Sequence, residues 1–139
     1  DKKMSTVQIQ NDIIDDFKIL DGDLEMTLNY LMELGESLND LDEKYKIDDN
    51  LVKGCQSKVW LKCTKEDDKI YLEGDSNTAI TKGLLSILIK IFNKKTPEEI
   101  ADTNLFFISE IGLNRFIGTQ RSNGLESMEK KIKLLALTL

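Results

Sequence analysis

The 139 residues carry 19 Lys and Arg against 25 Asp and Glu, a net charge of −6, with 40% hydrophobic residues and one Pro, which is one domain's worth of helix-rich globular chain. There is no His and there are only two Cys, so Ser-His-Asp and Cys-His mechanisms and imidazole-ligated metals are excluded, and a Cys-only zinc or iron–sulfur site lacks half its ligands. The acidic balance, with no basic stripe, also argues against nucleic acid and anionic membrane as partners.

Residues 1–5 are expected to be a loosely ordered lead into a single domain spanning 1–139. Asp1-Lys2-Lys3-Met4 lacks the apolar run of a secretion signal, and Met4 reads as a natural start behind a short leader. Ile9, Ile13, Phe17 and Leu20 then recur at helical spacing until Asp21-Gly22-Asp23 interrupts them. A second helix carries Leu24, Leu28, Leu31, Leu34, Leu38 and Leu41 on one stripe. That stripe is under three heptads long, so it reads as a core face and not as a coiled-coil seam. Asp40 to Asn50 reads as a solvated connection.

From Leu51 the period changes. Lys58 to Cys63 and Lys69 to Glu73 are short, alternating and rich in β-branched or aromatic residues, and Thr64 to Asp68 is turn-like between them, which predicts an antiparallel hairpin. Leu51-Val52-Lys53 is a candidate third strand, with Gly54 in the following loop. Gly74-Asp75-Ser76 is expected to end the hairpin and cap a helix over about Asn77–Asn93, which is apolar on most sides and therefore central to the core. Its apolar run, Leu84 to Phe92, is too short to cross a bilayer, so a cytoplasmic location with reduced thiols is the default. Thr96-Pro97-Glu98-Glu99 is a helix start with a capping box, leading into two short helices over Pro97–Asp102 and Asn104–Gly112. A last helix beginning near Ser122 or Asn123 places Leu125, Met128, Ile132, Leu135 and Leu139 on one face. The order predicts an α+β fold, a small antiparallel sheet of two to three strands packed with N- and C-terminal helices.

Cys55 is the first candidate for chemistry. A sulfur-carrying cysteine needs thiolate character, room to move and access for a partner. Gly54 gives backbone freedom, Lys53 and Lys58 place positive charge nearby, and Gln56 and Ser57 offer hydrogen bonds to a persulfide anion. The alternative reading is a buried cysteine serving as a small hydrophobe. Cys63 shares a strand face with Val59 and Leu61 and reads as core. Eight residues of extended chain would separate the two thiols by roughly 26 Å, beyond disulfide reach. Asp75 reads as a cap, or as a group orienting a partner or the cysteine loop, and Arg121 as solvated or as the anchor of a loop or partner carboxylate.

Together these segments resemble the SufE family. The resemblance rests on Gly54-Cys55-Gln56-Ser57-Lys58-Val59-Trp60, close to that family's GCQSxVW signature. It continues through Tyr30 to Gly35, Gly74-Asp75-Ser76, Lys82-Gly83-Leu84, Thr96 to Ile100, and Arg121-Ser122-Asn123-Gly124-Leu125. It implies a fold similar to that of SufE and the IscU scaffold. It also implies a sulfur-transfer protein, not an enzyme, that takes persulfide sulfur from a SufS-type PLP-dependent cysteine desulfurase onto Cys55. Such a protein stimulates desulfurase turnover and passes the sulfur to a SufBCD-type scaffold. No bound cofactor is expected, only a transient cysteine persulfide, and a homodimer is left open. Gly54, Gln56, Ser57, Asp75 and Arg121 are the expected supporting or docking residues. Val59 and Leu61 are expected to shelter Cys55. Many relatives carry a second Asp after Gly-Asp-Ser, where this chain has Asn77. The competing readings are a metal-binding scaffold, short of ligands on the arithmetic above, a thiol redox sensor without a resolving cysteine, and a plain adaptor.

Overall fold

The computed structural model describes residues 4–139. Six α-helices and one two-stranded antiparallel sheet form an α+β architecture among these residues. Of the expected loose lead, residues 1–3 lie outside the described residues, and Ser5 caps the first helix, α1 (Thr6–Lys18), in a reciprocal capping box with Gln8. Ile9, Ile13, Ile14 and Phe17 of α1 face the core. Beside them Gln10, fully buried, donates to the Asn104 carbonyl (3.2 Å) and accepts from the Phe106 (2.8 Å) and Phe107 (3.2 Å) amides, tying α1 to a distant loop.

The turn at Asp21 and Gly22 has positive φ at both residues, and Asp23 then caps α2 (Leu24–Glu36). The leucine stripe is shorter than its spacing suggests. Leu24 is exposed, Leu31 is fully buried, and Leu38 and Leu41 fall beyond the helix end. The connection after α2 is not wholly solvated either. It forms 3-10 turns at Glu43–Tyr45 and Asp48–Asn50 and buries Leu41.

The hairpin pairs β1 (Val59–Glu66) with β2 (Lys69–Ser76), from Val59 opposite Ser76 to Glu66 opposite Lys69. Its turn is only Asp67-Asp68, both at positive φ, the backbone that matches the twist of a two-residue hairpin. The ladder therefore runs through Thr64 and Glu66, which the sequence assigns to the turn. Leu51 adds a single bridge to Trp60, with the Val52 N–H on the Val59 carbonyl at 2.8 Å, and no third strand forms among the described residues. Gly74-Asp75-Ser76 lies within β2, and the residue at the start of α3 (Ala79–Phe92) is Thr78, without a side-chain capping bond.

The central helix is α3, with Leu84, Leu85, Leu88, Ile91 and Phe92 fully buried. It contacts α1, α2, β2 and the C-terminal helix. α4 (Pro97–Asp102) has the predicted Thr96–Glu99 capping box, and α5 (Phe107–Ile111) ends at Gly112 in the left-handed region. The last helix, α6 (Asn114–Thr138), begins eight residues before Ser122 and is interrupted at Gly118 (φ 81°, ψ 171°). It buries Leu125, Met128 and Ile132 as predicted, but Leu139 lies past its end and is exposed. No helix among the described residues is long and apolar enough to cross a membrane.

Candidate functional site

The loop carrying Cys55 is pinned at both ends. At its start Val52 donates to Val59, and at its end the Lys58 N–H donates to Asn77 Oδ1 (2.9 Å) while the Asn77 N–H donates to the Lys58 carbonyl (3.2 Å). Asn77, where relatives were expected to carry Asp, thus closes the loop with an oxygen acceptor that a carboxylate would also supply. Gly54 sits at φ +93°, and a Cβ there would lie 2.5 Å from Ser127 Oγ. The backbone conformation calls for glycine, and a side chain there would also have to displace the Ser127 hydroxyl.

Cys55 is half-buried, and its Sγ–H donates to the Gly124 carbonyl on α6 at 3.5 Å. The sulfur packs directly on this glycine, where a Cβ would already stand in van der Waals contact with Sγ at 3.4 Å. Burial pushes the Cys55 thiol up from the ordinary cysteine range. The expected thiolate character is therefore not found at rest. Lys53 and Lys58 are exposed, and burial is the cause of the shift.

Cys55 opens onto a cavity of about 480 Å³. Gln56 and Ser57 line it from the loop, Thr78 and Thr81 from the start of α3, and Ile117–Arg121, Gly124 and Met128 from α6. Ser57 Oγ is hydrogen-bonded to Thr78 Oγ1 (2.8 Å) and Thr81 Oγ1 (3.3 Å), which joins the loop to α3. The break at Gly118 lets α6 resume at Thr119 alongside Cys55. Val59 and Leu61 are buried in the core but do not line this cavity; α6 shelters the thiol instead. Their side chains belong to the sheet's packed face, whereas the loop leans on the C-terminal helix.

The structure gathers Cys55, Gln56, Ser57 and Arg121 at this cavity, with Arg121 exposed there, while Gly54 turns the loop toward Ser127 and does not line it. Asp75 is elsewhere. It is buried, and burial pushes its carboxyl up, but the Leu41 (3.2 Å) and Ser76 (2.8 Å) amides and the Lys82 and Lys46 ammonium groups, each at 3.3 Å, hold it below the usual range. It anchors the connection after α2 to the hairpin and α3. Cys63, partly buried against the core, is pushed up by burial to about 11. Both cysteines are free.

Sequence reasoning missed the parts played by Gly118, Gly124 and Thr81. A glycine inside a strongly periodic helix costs about 1 kcal/mol relative to Ala, so Gly124 carried a signal that something packs against it. Among the described residues, no group of three or more His, Cys, Asp or Glu is placed to hold a metal ion.

A family model for SufE, the Fe-S metabolism associated domain, matches residues 11–136. An uncharacterized SufE-like protein of Rhizobium etli is 42% identical over 126 residues, covering 87% of this chain and 84% of that protein. One from Rhizobium meliloti is 39% identical over 126 residues, covering 87% and 89%. In fold, the chain is similar to a hypothetical protein from Thermus thermophilus whose solution structure is known, with a TM-score of 0.74 at 19% identity, covering 94% of this chain and 97% of that one.

Proposed function

Because the chain belongs to the SufE family and so to Fe–S metabolism, we propose that it is the sulfur acceptor of an iron–sulfur assembly pathway, with Cys55 as the acceptor. In this reading a SufS-type cysteine desulfurase presents a cysteine persulfide. The Cys55 thiolate attacks the terminal sulfur, the donor's S–S bond breaks, and the desulfurase cysteine leaves as a thiolate. Cys55 then carries the persulfide to a SufBCD-type scaffold, and the desulfurase is free for another turnover.

The observation that carries the reading is the setting of Cys55. It lies on a short loop pinned at both ends, half-buried, with its sulfur at the mouth of a cavity. A thiol held neutral by burial is protected from adventitious oxidation, which requires thiolate character and exposure. Contact with the donor then has to lift the sulfur off the Gly124 carbonyl and favour its ionised form. Cys63 has no such setting, being held on a strand against the core.

The test is desulfurase turnover, measured as sulfide released from cysteine under reducing conditions with PLP-loaded enzyme. Wild type and Cys63→Ser should stimulate it alike, and Cys55→Ser should not stimulate it. Stimulation by Cys55→Ser equal to wild type would leave a plain adaptor as the better reading.

A further inference from the structure

The cavity beside Cys55 is larger than a single transferred sulfur needs. One water-sized atom occupies roughly 30 Å³, whereas this space is about 480 Å³ and falls in the range of small-molecule sites. Its lining is also selective in charge. Although the chain has 25 Asp and Glu, no carboxylate lines the cavity, and among the described residues there Arg121 is the one cation. Thr119, Gln120 and Gln56 add polar groups, while Ile117 and Met128, both buried, supply an apolar wall suited to a disulfide-like S–S unit.

We infer that this cavity binds a small anionic sulfane-sulfur donor, a low-molecular-weight persulfide carrying a carboxylate, and that Cys55 takes sulfur from it without a protein donor. The inference rests on the proposed role of Cys55 as a sulfur acceptor and adds a second source for the same site. Arg121 pairs with the donor's carboxylate, as the planar guanidinium does bidentately. The Cys55 sulfur attacks the outer sulfur of R–S–S⁻, the S–S bond breaks, and R–S⁻ leaves with the proton that Cys55 gives up. The products are the Cys55 persulfide anion and R–SH. Charge and atoms balance, and no oxidant is consumed.

The experiment uses the purified chain without desulfurase and cysteine persulfide as the probe, reading sulfur on Cys55 by mass spectrometry against time and probe concentration. In wild type the rate should saturate with concentration, and cysteate, an unreactive anion of similar shape, should inhibit competitively. Arg121→Gln should raise the half-saturating concentration about tenfold, as expected for one charge-assisted pair, and Arg121→Lys should recover part of that loss. A rate linear in probe and insensitive to cysteate overturns the inference, as does an Arg121→Gln variant that matches wild type. The desulfurase assay run in parallel keeps the two readings apart. Sulfur accepted from the desulfurase with no saturation by free persulfide defeats this inference alone. Saturable loading by free persulfide with none from the desulfurase defeats the proposed protein donor alone.

Discussion

At Cys55 two local influences favour the neutral thiol, burial and an S–H bond to the Gly124 carbonyl. Alkylation at neutral pH should therefore be slower at Cys55 than at a free cysteine, and the midpoint of its pH profile should lie above the ordinary thiol value. Cys63, pushed up to about 11, should titrate later in the same experiment. Iodoacetamide labelling followed across pH and read site by site checks both, and a Cys55 midpoint below that of a free cysteine would contradict the account. Gly124→Val should move the Cys55 profile down and speed its labelling, because a branched side chain there takes the place the sulfur occupies. The candidate residue and its loop were legible in the sequence, through Gly54 and the polar residues after it. Its shelter was not, since Gly124 is 69 residues away and no local spacing encodes a loop leaning on a distant helix.

Among the elements, the close crossing of α2 and α3 sets the position of the whole N-terminal end of α3, and with it Thr78 and Thr81 at the cavity. Gly35 and Gly83 make that approach possible. A Cβ on Gly83 would collide with the Leu31 carbonyl, and one on Gly35 would stand 2.8 Å from the Gly83 nitrogen. Gly83→Ala should cost about 3 kcal/mol, since backbone cannot yield as a flexible side chain does, and its urea midpoint should fall with the slope unchanged. A midpoint equal to wild type would mean that the helices separate without loss. Periodicity revealed α1, the run of α3 and the Thr96 capping box. It fell short at α6, where the expected start near Ser122 or Asn123 leaves out the turn from Asn114 to Ile117 ahead of the break at Gly118. It also failed at Gly74 to Ser76, whose small polar residues look like a cap yet pair with Val59 to Leu61.

Over the whole molecule, Asp75 joins three parts of the chain: the connection at Leu41 and Lys46, β2, and α3 through Lys82. Its carboxyl is held below the usual range, so it binds protons more readily unfolded than folded. Its stabilising contribution is present above the unfolded carboxylate pKa and is lost as pH falls through the folded value. Asp75→Asn should lose about 2 kcal/mol at neutral pH, and the gap from wild type should close below about pH 4; urea midpoints at several pH values check this, and a constant gap would contradict it. The buried ion-pair role was invisible in sequence because Leu41, Lys46 and Lys82 lie on separate segments, so Asp75 read as a cap or as a group orienting a partner or the cysteine loop. The central claim is that Cys55 alone carries sulfur. Incubation with a cysteine desulfurase, PLP and cysteine, followed by peptide mass spectrometry without reductant, tests it most directly. One added sulfur should appear on the Cys55 peptide, none on the Cys63 peptide, and none at all in Cys55→Ser. Sulfur on Cys63, or sulfur retained in Cys55→Ser, would contradict the account.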